Sequence, residues 1–98
     1  MPDAIFAAND LVAIGVLQAL VFKDSHITVP DDIAIVGYDD IDFAASAVIP
    51  LSSVRQPSAL IGETAINILL EEAAGPSVSP RQVLFQPELV VRESTATP

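Results

Sequence analysis

The stretch Ile33–Asp40 reads Ile-Ala-Ile-Val-Gly-Tyr-Asp-Asp, an apolar run that passes through a glycine into two carboxylates. Four apolar residues in succession, without polar alternation, indicate a strand covered on both faces, as in a parallel sheet with helices on each side. Just before it, Val29–Asp32 forms a predicted turn, because Pro30 fixes its own φ and disfavours helix at the preceding residue. This stretch is therefore expected to form a strand of a parallel α/β sheet.

Strand and helix patterns alternate on both sides of that run. Upstream, Ala4–Ala8 predicts a strand, and Leu11–Phe22 predicts a helix that begins after Asn9 and Asp10. Alternating strands and helices predict a parallel α/β sheet. The remaining predicted elements are a brief helix at Phe43–Val48, a strand or extended crossover at Leu51–Gln56, an amphipathic helix at Pro57–Ala74, strands at Val83–Phe85 and Glu88–Arg92, and a disordered tail at Ser94–Pro98.

Composition narrows the class of protein. The 98 residues contain no cysteine, are 51% apolar and carry a formal charge of -9, which fits one domain or part of one without disulfides. The only four basic residues are too few to neutralise many phosphates, so direct binding of nucleic acid by this chain is not expected. The sequence also predicts neither a membrane span nor a secretory signal, since it has no apolar run of eighteen residues and no basic segment before an apolar stretch.

Polar side chains follow two neighbouring strands of the predicted sheet. Asn9 and Asp10 come after the first strand, and Asp39 and Asp40 come after the second. The carboxyl ends of parallel strands meet at one edge of a sheet, where ligands bind. Carboxylates accept hydrogen bonds and an amide both accepts and donates them, a combination suited to sugar hydroxyls or ring nitrogens. Asn9 or Asp10 is equally suited to capping the following helix, and the two roles can coexist within the pair.

Catalytic and metal-binding patterns are missing from the sequence. His26 is the only imidazole, no cysteine accompanies it, and neither a Gly-x-Ser-x-Gly elbow nor a phosphate-binding glycine loop is present. We therefore predict no enzyme, no catalytic residue and no cofactor. The carboxylates of Asp39, Asp40 and Asp42 lack the spacing of a calcium loop, so no metal site is predicted. A phosphorylated receiver module would need a lysine on a late strand, whereas Lys23 ends the first predicted helix.

Four segments in register resemble the C-terminal part of LacI/GalR-family transcriptional regulators: Pro2–Asp10, Val29–Asp40, Ser53–Pro57 and Pro87–Thr95. The resemblance implies a partial periplasmic-binding-protein-like fold of type I, in which two α/β lobes surround a cleft. It implies that residues 1–93 are the last portion of the effector-binding domain, mostly its C-terminal lobe. Residues 1–54 and 88–93 would belong to that lobe, 57–86 to a crossover segment of the N-terminal lobe, and 94–98 to a tail, with the DNA-binding domain absent.

The resemblance also implies a function and a set of site residues. It points to a cytoplasmic, ligand-responsive repressor that binds a sugar or a similar small polar effector and contacts DNA only through the missing headpiece. In the family the position matching Asp39 bonds the effector, and the position matching Asn9 is often another contact. Gln56 and Ser58 match positions near the pocket, although relatives place a large side chain where Ser58 stands. The alternatives are a fragment of an extracytoplasmic sugar-binding protein of the same fold and, less favoured, a receiver module.

The predicted helix Leu11–Phe22 has almost no polar face, since Gln18 is its only side chain that is neither apolar nor glycine. One side can pack on its own sheet, which leaves Val12, Ile14 or Leu17 to be covered by something else. The resemblance implies the same, because the family dimerises partly through this helix. We therefore predict a homodimer or a higher assembly with these three residues at the interface.

Overall fold

The chain divides into two units, each described here by itself. The computed structural model describes residues 1–23, 25–75 and 81–96. The first unit comprises Met1–Arg55 together with Glu88–Pro98, and the second comprises Gln56–Pro87. The assignment of these units to the two lobes of the family's domain stays a prediction.

A four-stranded sheet with two helices makes up the first unit. In the sheet order β1-β2-β3-β4, the first three strands are parallel and β4 runs antiparallel to β3. The elements are β1 (Ala4–Phe6), α1 (Asp10–Phe22), β2 (Ala34–Tyr38), α2 (Asp42–Ser46), β3 (Ser52–Arg55) and β4 (Glu88–Val90). The predicted α/β fold with a parallel sheet flanked by helices is confirmed.

The register of the parallel strands brings their carboxyl ends to one edge. Phe6 of β1 lies beside Val36 of β2, and Tyr38 of β2 lies beside Val54 of β3. The loops that follow β1 and β2 therefore leave the sheet at the same edge, as the pattern of polar residues predicted.

Leu17 of α1, Ile35 of β2 and Leu51 form the centre of the core, and all three side chains are fully buried. Burial of each such side chain contributes roughly 1.5–3 kcal/mol. Along β2, however, buried positions such as Ile35 alternate with half-buried ones such as Val36. The two faces of this strand, which was predicted to be covered on both, are thus covered to different degrees.

The predicted disordered tail is wrong for Ser94, which is fully buried. Its backbone N–H donates to Pro50 O at 2.9 Å, and its carbonyl accepts from Ile35 N at 3.0 Å. Its hydroxyl donates to Ile35 O at 2.6 Å and accepts from Ser52 N at 2.8 Å. These four bonds fix the chain after β4 although its composition favours disorder. Residues 97–98 of the predicted tail lie outside the described residues.

In the described residues of the second unit, 56–75 and 81–87, the one regular element is α3 (Ser58–Ala74). It begins after Pro57 and its last residue is Ala74, so the predicted helix Pro57–Ala74 is confirmed within one residue. None of its side chains is buried. The predicted strand at Val83–Phe85 is wrong: this segment has no regular structure, since the described residues of this unit include no strand to which it could hydrogen-bond.

Candidate functional site

The turn that follows β2 has an unusual backbone. Asp39 has φ 105° and Asp40 has φ 52°, two consecutive left-handed residues of which neither is glycine. Such conformations are uncommon for side-chain-bearing residues, although Asp and Asn adopt them more readily than most. Each costs of order 1–3 kcal/mol and persists where the surroundings hold it, which happens most often at ligand sites.

Hydrogen bonds fix three successive N–H groups of this turn. Asp39 N donates to Val54 O of β3 at 2.9 Å. Asp40 N donates to Ser53 Oγ, also at 2.9 Å. The N–H of Ile41, the next residue, donates to a carboxylate oxygen of α1 at 2.8 Å. The turn is therefore tied to both the neighbouring strand and the first helix.

Asp10, at the start of α1, provides that carboxylate and is fully buried. Its Oδ2 accepts from Ile41 N at 2.8 Å, and its Oδ1 accepts from Ser53 Oγ at 2.7 Å. Gly37 makes room for it, because a Cβ atom at that position would overlap Asp10 Oδ1. The sequence analysis considered Asp10 as a helix cap or a ligand contact, whereas in the structure it fastens the turn.

The carboxylate of Asp40 is bound by two arginines. Arg92 Nη1 donates to its Oδ1 at 2.6 Å, and Arg55 Nε donates to its Oδ2 at 2.7 Å. Arg92 also donates to Leu51 O at 2.8 Å. The hydrogen bond from Arg92 is the main cause that holds the pKa of the Asp40 carboxyl below its ordinary value of 3.8; burial opposes this shift, and Arg55 supports it.

Asp39 differs from Asp40 in its exposure and in its hydrogen bonds. Its residue is exposed, and its carboxylate takes part in no hydrogen bond or ion pair with any residue that the structure describes. The Asp40 side chain, by contrast, is only 5% exposed. Of the two adjacent acids, only Asp39 retains acceptors for a ligand.

Asn9 caps α1, because its Oδ1 accepts from Val12 N at 2.9 Å. The alternative role as a helix cap is therefore confirmed. The side-chain NH2 group of Asn9 has no bond to another described residue, so its donors remain available at the edge of the sheet that also carries Asp39. The structure thus brings together Asn9 and Asp39 at the ends of β1 and β2.

Gln56 and Ser58 belong to the second unit. Ser58 N donates to Gln56 O at 2.8 Å, and the Ser58 hydroxyl donates to the same carbonyl at 3.4 Å. Gln56 is half-buried and Ser58 is exposed. These contacts place both residues at the beginning of α3, while their role in binding an effector stays a prediction.

The three predicted interface residues differ in exposure. Val12 is 51% exposed and Ile14 is half-buried, but Leu17 is fully buried in the core of its own unit. The assignment of Leu17 to the interface is wrong, because an almost wholly apolar helix gives no polar face from which to tell its inner side. Leu11 and Phe43, which were not among the predicted residues, are each 71% exposed. With Ile14, Gln18, Ser46, Ala47 and Val48 these two line an open cavity of about 310 Å³, here called the α1–α2 surface.

Acidic residues form no metal site within residues 1–23, 25–75 and 81–96, where no group of three His, Cys, Asp or Glu side chains is arranged to hold an ion. In the Asp39–Asp42 segment, both oxygens of Asp40 accept hydrogen bonds from arginines.

Ser53 and Arg92 contact this turn but were not among the predicted site residues. The sequence offers only a weak signal for Arg92, which is one of four basic residues in the chain.

Comparison with protein-family models gives one match of almost full length. The model described as a periplasmic binding protein-like domain matches residues 1–95. The chain belongs to this family. The predicted resemblance to LacI/GalR-family regulators and the predicted periplasmic-binding-protein-like fold are both confirmed.

Similar proteins are regulators that extend well beyond this domain segment. The ribose operon repressor of Escherichia coli (strain K12) is 39% identical over 93 residues, which are 95% of this chain and 28% of the repressor. The solved complex of the transcriptional regulator CelR with cellobiose has 39% identity and a TM-score of 0.85, with coverage of 94% of this chain and 28% of CelR. The lac repressor dimer bound to operator has 34% identity and a TM-score of 0.84, with coverage of 98% and 32%. The chain thus spans only about a third or less of the proteins it matches.

Of the helices in the described ranges, none is both long enough and apolar enough to cross a membrane.

Proposed function

We propose that this chain is the effector-sensing part of a ligand-responsive transcriptional repressor, and that Asp39 and Asn9 hold hydroxyl groups of a sugar. The exposed carboxylate of Asp39 carries the proposal, because it has no partner among the described residues while its backbone is held in a fixed, strained turn. A carboxylate with free lone pairs accepts hydrogen bonds from adjacent hydroxyls, and such charge-assisted bonds are about twice as strong as neutral ones.

The similar proteins support a sugar as the chemical class of the effector. One is a repressor of a ribose operon, and another was solved as a complex with cellobiose. Both ligands present hydroxyl groups on neighbouring carbons, which suit the acceptors of Asp39 and the free amide donors of Asn9. Gln56 and Ser58, which match positions near the pocket in the family, are also proposed to contact an effector.

The remaining partners of the repressor follow from the surface of the first unit. The α1–α2 surface, which includes Ile14, is proposed to pair with a second copy of the protein together with the exposed Val12, since exposed apolar surfaces of this kind mark protein interfaces. DNA is proposed to bind through a separate domain, because four basic residues do not form a phosphate-binding surface. The function is regulatory rather than enzymatic, and its location is the cytoplasm.

Calorimetric titration with D-ribose and with cellobiose tests this function in the full-length regulator that contains the chain. Asp39→Ala should weaken binding of the recognised sugar about ten- to a hundredfold, which corresponds to the loss of one hydrogen bond to a charged group. Asp42→Ala is the matched control, since it removes an exposed carboxylate three residues away without touching the turn. Equal affinities for wild type and Asp39→Ala would contradict the assignment of the contact.

A further inference from the structure

Two buried side chains hold the turn that carries Asp39, although neither is exposed to a ligand. Ser53 and Asp10 are both fully buried. The Ser53 hydroxyl accepts from Asp40 N at 2.9 Å and donates to Asp10 Oδ1 at 2.7 Å. The second oxygen of Asp10 accepts from Ile41 N at 2.8 Å. Each oxygen of the Asp10 carboxylate thus accepts a hydrogen bond, one from Ser53 and one from the backbone of the turn.

The strained backbone of the turn needs these hydrogen bonds to keep its conformation. Asp39 and Asp40 both have positive φ, and a non-glycine residue leaves that region unless its surroundings hold it there. The bond from Asp39 N to Val54 O is the only other backbone anchor among the three N–H groups. Without Ser53 and Asp10, two of the three anchors would be lost.

We propose that Ser53 and Asp10 are positioning residues for the effector carboxylate: they fix the left-handed turn that directs the Asp39 side chain outward, without touching the effector. The proposal rests on the function proposed above for Asp39. A positioning role differs from a purely structural role in one respect. Loss of these bonds must change the backbone conformation at Asp39 and not only the stability of the fold. Arg55 and Arg92, which hold the adjacent carboxylate, do not replace these backbone anchors.

The chain offers a closely matched control for Ser53. Ser94 is also a fully buried serine whose hydroxyl accepts one backbone N–H, from Ser52, and donates to one oxygen, of Ile35. Ser53→Ala and Ser94→Ala therefore remove the same number of buried hydrogen bonds. Only the first of these substitutions releases the turn. Asp10→Asn is the second variant: it preserves size, but it replaces one acceptor by a donor that faces Ser53 or Ile41.

Two measurements test the positioning role of Ser53 and Asp10 separately from the proposed binding of a sugar by Asp39. The first uses the 98-residue chain and records three-bond HN–Hα couplings and amide shifts at Asp39 and Asp40 by NMR. We expect Ser53→Ala and Asp10→Asn to move both residues out of the left-handed region, while Ser94→Ala leaves their couplings as in wild type. Unchanged couplings in Ser53→Ala and Asp10→Asn would overturn the proposal, whether or not a sugar binds.

The second measurement titrates the full-length regulator with D-ribose and cellobiose. Ser53→Ala should weaken binding of the recognised sugar on the order of tenfold, as expected when a charged contact is misplaced, and Ser94→Ala should not weaken it despite a similar fall in melting temperature. Equal affinity losses in the two serine variants would show a general structural effect and would overturn the positioning role. If Asp39→Ala alone leaves affinity unchanged, the proposed function fails while the NMR result still decides the geometry.

Discussion

Asp40→Asn removes the negative charge that faces Arg92 and Arg55, while it keeps the size of the side chain almost unchanged. The Asp40 side chain is 5% exposed and that of Arg92 is 17% exposed, so water screens this pair only weakly. Arg92 Nη1 lies 2.6 Å from Asp40 Oδ1, a distance typical of a strong charge-assisted bond. The free energy of unfolding should therefore fall by about 1.5–3 kcal/mol, the range for hydrogen bonds to charged groups.

The second arginine should contribute much less. Arg55 is half-exposed, and Glu88, its other partner at 3.2 Å, is 66% exposed. Exposed ion pairs gain little because water and salt screen them and because holding two long side chains costs entropy. Arg55→Met should accordingly change stability less than Arg92→Met, although both arginines contact the same carboxylate.

A double-mutant cycle measures the interaction between Asp40 and Arg92 directly. It compares urea unfolding of the wild type, Asp40→Asn, Arg92→Met and the double variant. We expect a coupling free energy of at least about 1 kcal/mol at pH 7. Because the folded-state pKa of Asp40 is lowered from 3.8, this stability is fully present above that value and is lost as the pH falls below 3.8 through the folded pKa. A coupling smaller than roughly 0.5 kcal/mol, which is the usual error of additivity, would refute the reasoning.

Two further predictions concern the space around Asp10 and the α1–α2 surface. Gly37→Ala should destabilise the chain by roughly 1–3 kcal/mol in urea unfolding, since its Cβ would overlap Asp10 Oδ1, whereas Gly15→Ala in α1 meets no atom within 4 Å and should stabilise it by about 0.4–1 kcal/mol; equal effects would contradict this account. Phe43→Glu should convert a dimer of the full-length regulator into a monomer in sedimentation velocity, while Phe22→Glu, equally exposed but outside the α1–α2 surface, should leave the dimer intact. An unchanged dimer in Phe43→Glu would place the interface elsewhere.

Local patterns were sufficient to predict most of the elements of this fold. Apolar runs, prolines and glycines gave β2, α1 and α3 within about two residues, because these signals act through neighbours in the chain. The meeting of Asn9 and Asp39 at one edge also followed from the sequence, since parallel strands share the edge at which they end. Long-range contacts were the part that could not be predicted. Ser94 reads as part of a tail, yet its hydroxyl donates to a carbonyl 59 positions away.

The different roles of Asp39 and Asp40 depend on the same kind of long-range contact. The two residues are adjacent and identical in type, so no local rule distinguishes a ligand contact from a structural ion pair. Arg92, 52 positions further along the chain, donates a hydrogen bond to the Asp40 carboxylate. Ser53 and Asp10 then fix the backbone of the turn on either side of that pair. The left-handed backbone of the turn costs stability through strain. The ion pairs of Asp40 and the hydrogen bonds of Ser53 and Asp10 offset that cost, so the turn that carries the exposed Asp39 is held by contacts from β3, α1 and the segment after β4.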